Sequence, residues 1–139
     1  MNMNHRIVEI SADETIAIRH QVMWPDKPVD YVRLPNDEEG KHYGLFIDGE
    51  MVSVISLFIT DKQAQFRKFA TLQRLQGKGY GTLLLEEVIH VARSLNLDKI
   101  WCNARMDKAG YYAKFGMKLT DQTFLKGGIE YVIMEKALI

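Results

Sequence analysis

The chain has few residues with which to cross-link, kink or charge itself. Among its 139 residues there is one cysteine, Cys102, and there are three prolines. A lone thiol makes no internal disulfide, so a reducing, cytoplasmic setting is expected. Eighteen basic side chains balance eighteen acidic ones. Such a chain offers no broad field to hold nucleic acid or an anionic membrane, and any anion binding has to be local. No apolar run approaches the ~20 residues that a membrane-spanning helix needs. The start, Met1-Asn2-Met3-Asn4-His5-Arg6, lacks the apolar core of a signal peptide. His5, His20, His42 and His90 are dispersed without metal-ligand spacing, and no metal is expected. Hydrophobic residues are plentiful at 47%, enough for the core of a single domain over residues 1–139.

Periodicity divides the chain. Arg6–Ile10 reads as a strand, followed by a helix from about Ala12 to Val22 that Ser11 or Asp13 can cap. Ile16, Ile18 and Val22 are its apolar residues, and Trp24-Pro25 ends it. The polar stretch Asp26–Lys41 predicts irregular structure with a short helix near Val29–Leu34. Asp48-Gly49 between apolar runs is a hairpin signal, and a third strand over Gln65–Leu72 completes a meander. A helix over Thr82–Leu95 places Leu84, Leu85, Val88, Val91, Ala92 and Leu95 on one face. Lys99–Ala104 reads as a strand, and Asp107 can cap a short helix that Gly116 ends. Two last strands, Lys118 to about Thr120 and Ile129–Lys136, join through Lys126-Gly127-Gly128. A meander followed by a βαβ crossover predicts a mixed α/β sheet with helices on its faces.

The most informative segment is Gln76-Gly77-Lys78-Gly79-Tyr80-Gly81, set between a strand and a helix. Alternating glycines let backbone amides approach a ligand closely, and a helix starting there directs unpaired N–H groups and its positive end at the turn. That combination suits a phosphate or pyrophosphate. A Walker loop would need Ser or Thr after Lys78, where Gly79 stands, and the glycine spacing does not match a dinucleotide fingerprint.

Gln76, Gly79 and Gly81 fit the pattern Gln/Arg-x-x-Gly-x-Gly/Ala, and Asn103-Ala104-Arg105 and Tyr111-Tyr112-Ala113-Lys114-Phe115-Gly116 follow in order. With these motifs the chain resembles the GNAT superfamily of acyl-CoA N-acyltransferases from about Tyr43 to Glu135. The resemblance implies a mixed, mostly antiparallel central sheet of about six to seven strands flanked by helices. It implies acetyl-CoA as co-substrate, with the pyrophosphate on the amides of Gly77, Lys78, Gly79, Tyr80, Gly81 and Thr82, after Gln76. The pantetheine arm would pair along Phe69, Ala70 and Thr71, and Tyr112 would protonate the departing thiolate. The expected activity is acetyl transfer to a primary amine of a small molecule or peptide, by direct attack in a ternary complex. The alternative is a non-catalytic acyl-CoA-binding module. It is kept open because Gln65–Leu72, where such enzymes often place a glutamate, has no carboxylate. Glu38, Glu39, His42 and Glu130, or a water chain, are the remaining candidate bases, and Tyr131 stands where some relatives have histidine. Neither nucleic acid nor a membrane is expected as a partner, and the C-terminal strands allow a homodimer. Acceptor specificity is expected from the first helices, Asp26–Lys41 and the C-terminal hairpin.

Overall fold

Serine before a helical run, with glutamate three residues later, forms a capping box. In the computed structural model, which describes residues 4–139, Ser11 accepts from the Glu14 N–H while Glu14 accepts from the Ser11 N–H. Ser11 rather than Asp13 therefore starts α1, Ala12–Met23. The elements are β1 (His5–Ile10), α1, β2 (Lys41–Ile47), β3 (Glu50–Thr60), β4 (Gln63–Thr71), α2 (Tyr80–Ser94), β5 (Lys99–Arg105), α3 (Ala109–Ala113), β6 (Lys118–Lys126) and β7 (Ile129–Ala137). They form a mixed α/β fold whose seven-stranded sheet runs in the order β1-β2-β3-β4-β5-β7-β6. Contacts group the chain into two units: the part up to Phe58 with Lys68–Val88, and Ile59–Arg67 with Ile89–Ile139.

In the first unit β1 pairs antiparallel with β2, and β2 with β3. The β2–β3 turn has Asp48 at φ 49° and Gly49 at φ 88°, the left-handed pair that an Asp-Gly hairpin uses. Leu45, Val52, Val54, Ile55 and Leu57 are fully buried, with Ile16 and Ile18 of α1 also inside. The segment between α1 and β2 contains two 3-10 turns, Val29–Val32 and Asp37–Glu39, where one short helix was expected.

In the second unit β4 and β5 run parallel, with partners from Gln63–Lys99 to Gln65–Trp101, and β5 pairs antiparallel with β7 over its whole length. Its core includes Ala64, Ile89, Ala92, Leu97, Ile100, Cys102, Ala104, Met117, Val132 and Met134. Leu95, expected on the buried face of α2, is 43% exposed. The helix stops one residue earlier, and Asn96 turns left-handed at φ 59°. The Leu97 N–H then reaches the Ala92 carbonyl and the Asn96 N–H the Arg93 carbonyl, so Leu97 takes the inward place. Asp107 does not cap the following helix: it lies in a 3-10 turn, Met106–Lys108, and faces Arg105 at 3.7 Å. Strand β6 runs on to Lys126, well past the expected Thr120, by pairing with β7.

One strand position is strained. Lys68, in the middle of β4, has φ 54°, a value uncommon outside glycine and its close substitutes. A β-branched residue there is more strained than lysine, and glycine adopts this φ without a steric penalty. Lys68→Val is expected to lower stability by about 1–3 kcal/mol relative to Lys68→Gly, as checked by chemical denaturation of both variants.

Candidate functional site

Strand β4 ends at Thr71, a short 3-10 turn covers Gln73–Leu75, and the glycine segment leads into α2. Gly77 and Gly79 have φ 80° and 86°, and a Cβ on either would meet no described atom within 4 Å. Their requirement is conformational, and the backbone there is uncovered. Gly81 serves a different purpose: a Cβ would lie 3.1 Å from the Phe69 ring and 3.3 Å from the Thr71 hydroxyl. The first turn of the helix thus sits directly on the end of β4. Gln76 ties the turn back by donating from Nε2 to the Thr71 carbonyl at 3.0 Å. Ser53 of β3 fixes the same strand end, donating to the Ala70 carbonyl at 3.0 Å and sharing a 2.9 Å hydrogen bond with the Thr71 hydroxyl.

The Leu83 N–H bonds to the Gly79 carbonyl at 3.2 Å. The amides of Tyr80 and Gly81 precede that bond, at the positive end of the helix, and no acidic side chain stands in its first turn. The expected residues Phe69, Ala70, Thr71, Gln76, Gly77, Lys78, Gly79, Tyr80, Gly81 and Thr82 therefore occupy one continuous strand–turn–helix unit. Its exposed amides and helix end suit an anion.

Tyr112 lies on α3 in the second unit. Its ring packs 5.7 Å from Phe66 and 5.3 Å from Tyr111, whose ring is in turn 5.2 Å from Phe115. Burial pushes the Tyr112 phenol well above its ordinary value, with smaller upward contributions from Cys102 and Tyr111. Cys102 is 3% exposed, and burial pushes its thiol up to about 12. The thiolate is the reactive form, so Cys102 should resist iodoacetamide at pH 8 in the native protein and label rapidly only in denaturant. Mass spectrometry of both samples checks this.

The candidate bases fare differently. Glu38, Glu39 and Glu130 are exposed. Glu130 lines a groove of about 440 Å³ with Met106, Asp107, Gly128 and Ile129. His42 is buried and engaged on both nitrogens, by Ser56 Oγ at 2.7 Å and by the Asp37 carbonyl at 2.8 Å. It has no free lone pair directed at a substrate.

Sequence reading missed the cluster around it. Arg19 is wholly buried and grips Asp37 with both terminal nitrogens, at 2.8 and 3.0 Å. Burial pushes the Asp37 carboxyl up, but Arg19, the Leu34 N–H and His42 together outweigh it and hold the group below its usual range. A carboxyl depressed in the folded state contributes stability above its unfolded pKa of about 3.9, and that contribution is lost as pH falls through the folded value. Wild-type stability should therefore fall more steeply below about pH 4 than that of Asp37→Asn, as read from denaturation midpoints between pH 3 and 7.

Residues 5–117 match the family model described as acetyltransferase (GNAT) family. The chain belongs to the GNAT acetyltransferase family. It is, by that membership, an acyltransferase. A relative, the uncharacterized N-acetyltransferase YitI of Bacillus subtilis (strain 168), is 32% identical over 93% of each chain. The ribosomal-protein-S18-alanine N-acetyltransferase of Escherichia coli superposes with a TM-score of 0.81, at 16% identity, covering 97% of this chain and 94% of that one. A Bacillus subtilis acetyltransferase in complex with CoA gives 0.74 at 20% identity, covering 99% of this chain and 100% of that one. These two share the fold with this GNAT chain.

Proposed function

We propose that the chain transfers an acetyl group from acetyl-CoA to a primary amine of a small molecule or peptide, by direct attack in a ternary complex. The observation that carries this reading is the uncovered glycine turn at the start of α2, with two left-handed glycines and no acidic residue in the first helical turn. Coenzyme A binding in a solved relative of the same fold supports it.

In this reading the amides from Gly77 to Thr82 hold the pyrophosphate, and Phe69, Ala70 and Thr71 align the pantetheine arm. An N–H near Thr71 polarises the thioester carbonyl. The neutral amine attacks the carbonyl carbon, a C–N bond forms and the C–S bond breaks. Tyr112 gives its phenolic proton to the departing sulfur, and the proton lost by the amine nitrogen restores the phenol through solvent. No side chain of β4 is a carboxylate, so deprotonation of the ammonium falls to water or to an exposed carboxylate elsewhere.

Calorimetric titration with acetyl-CoA, coenzyme A and ATP tests the binding half, and thiol release with an amine panel tests turnover. Micromolar binding of both coenzyme forms but not ATP, with amine-dependent release, is expected. Binding without turnover on any amine would favour the acyl-CoA-binding module. No binding would sink both.

A further inference from the structure

Strand β3 is buried without a break from Val52 to Phe58, and Ser53 and Ser56 are the only polar side chains in that run. A hydroxyl in such a place needs a partner. Ser56 finds its partners in the cluster of Arg19 and His42. Ser53, wholly buried, turns instead to the end of β4.

The hydrogens there can be ordered. A carbonyl only accepts, so the single Ser53 hydroxyl hydrogen goes to Ala70 O at 3.0 Å. The 2.9 Å bond between the two hydroxyls then runs from Thr71 to Ser53. The direction is Thr71 O–H to Ser53 O–H to Ala70 C=O. That carbonyl and the Thr71 N–H belong to one peptide group. No peptide bond among the described residues is cis, so the N–H points opposite to the carbonyl. With Ala70 O held by β3, the Thr71 N–H is aimed away from β3. The next peptide is pinned at both ends: the Leu72 N–H donates to Val52 O of β3 at 2.9 Å, and Thr71 O accepts from Gln76 Nε2 at 3.0 Å. Three of the four polar ends of these two peptides are thus engaged by Ser53, Val52 and Gln76. The fourth is the Thr71 N–H. All of these residues lie in the first unit, together with the glycine turn.

A hydroxyl on the carbonyl does two things to the N–H behind it. It fixes the tilt of the peptide plane, and hence the direction of the N–H. It also polarises the peptide, because hydrogen bonds in a chain strengthen one another.

We infer that Ser53 is a positioning residue for acyl transfer: its hydroxyl orients and polarises the Ala70–Thr71 peptide so that the Thr71 N–H meets the thioester carbonyl oxygen. The inference rests on the acetyltransferase reading above and names the side chain that stands behind the donor. Charge grows on that oxygen as the amine attacks, so the contribution is larger in the transition state than in the bound thioester. Free coenzyme A has no acyl carbonyl, and its affinity serves as the internal control.

Ser53→Ala removes the donor from a site that alanine fits without a clash, and Ser53→Cys keeps a side chain of similar shape with a weaker donor. Coenzyme A affinity, acetyl-CoA KM and kcat are measured for each. The infrared carbonyl stretch of bound acetyl-CoA, isotopically labelled at that carbonyl and without amine, is measured beside them. In wild type the stretch should lie below its free-solution value, the mark of a carbonyl drawn to a donor. In Ser53→Ala it should return toward the free value. There kcat should fall about tenfold, less than the about 10²–10³-fold loss expected when an oxyanion donor is removed outright. Coenzyme A affinity should stay within about twofold. Ser53→Cys should lie between Ser53→Ala and wild type in both stretch and kcat, and decides by the same readings should Ser53→Ala fail to fold. A fall in kcat matched by a fall in coenzyme A affinity, with the stretch unmoved, would mark a merely structural role and overturn the inference. So would an unchanged kcat. If wild type binds acetyl-CoA but turns over no amine, the stretch alone decides. If wild type binds neither form of the coenzyme, the acetyltransferase reading falls and this inference with it. An active wild type whose stretch is the same in Ser53→Ala sinks the inference alone.

Discussion

Tyr112→Phe should lower kcat by about 10²–10⁴-fold, the usual range for a positioned acid or base, with acetyl-CoA affinity within about twofold. The substitution removes one oxygen from a ring that packs against Phe66 and Tyr111 and leaves both aromatic contacts in place. A large loss in kcat without a loss in binding separates a proton donor from a packing residue. Steady-state kinetics beside calorimetry makes that separation, and equal kcat values would end the assignment.

The raised phenol has a sign that can be checked. Burial disfavours the phenolate, so Tyr112 keeps its proton beyond the ordinary tyrosine value of about 10. The donor form is then fully present through the neutral and mildly alkaline range. No alkaline loss of kcat below about pH 10 should trace to Tyr112. A phenol held this firmly gives its proton only to a strong base. In the proposed transfer that base is the departing thiolate. An alkaline limb near pH 8 that disappeared in Tyr112→Phe would contradict this account.

Gly79→Val should weaken acetyl-CoA binding by about a hundredfold or more, which corresponds to about 2.7 kcal/mol. Two effects combine. The backbone at φ 86° is unfavourable for a β-branched residue, and the relaxed turn would redirect the amides of Tyr80 and Gly81. The added side chain would also stand where a ligand approaches the uncovered backbone. Because a Cβ there meets no described atom within 4 Å, folding should suffer only the backbone cost, about 1–3 kcal/mol. Gly81→Ala provides the contrast: its Cβ would lie 3.1 Å from the Phe69 ring and 3.3 Å from the Thr71 hydroxyl, contacts that side-chain movements of a few tenths of an ångström relieve, and no left-handed backbone is strained, so stability and binding should both change far less than in Gly79→Val. Titration and thermal melting of both variants check the pair. Unchanged affinity in Gly79→Val would remove the turn from the site.

What was legible in the sequence was local. The Asp48-Gly49 hairpin, the Ser11 start of α1 and the strand–turn–helix at Gly77–Gly81 each depend on a few neighbouring residues whose chemistry limits the backbone. The interior positions of α2 followed from their spacing, and the assignment failed at Leu95 because the helix ends in a left-handed Asn96 that turns Leu97 inward. Lys68 gave no warning, since lysine carries no preference for a positive φ inside a strand. Asp107 looked like a cap because its type and place were right. The chain forms a 3-10 turn there instead, and no side chain among the described residues caps α3.

Arg19 marks the boundary of what sequence reading can reach. An arginine on a helix reads as a solvated side chain, and nothing in its neighbours says otherwise. Its burial depends on Asp37, eighteen positions away, and on Ser56, thirty-seven away. The amino-acid sequence by itself determined most of the elements, the glycine turn ahead of α2 and the family, because glycine placement and apolar spacing act over a few residues. Only the tertiary structure decided that His42 is occupied, that Lys68 is strained and that Arg19 holds the segment ahead of β2. Each of these depends on partners brought together by folding, and a buried charge is tolerated only where such partners meet it.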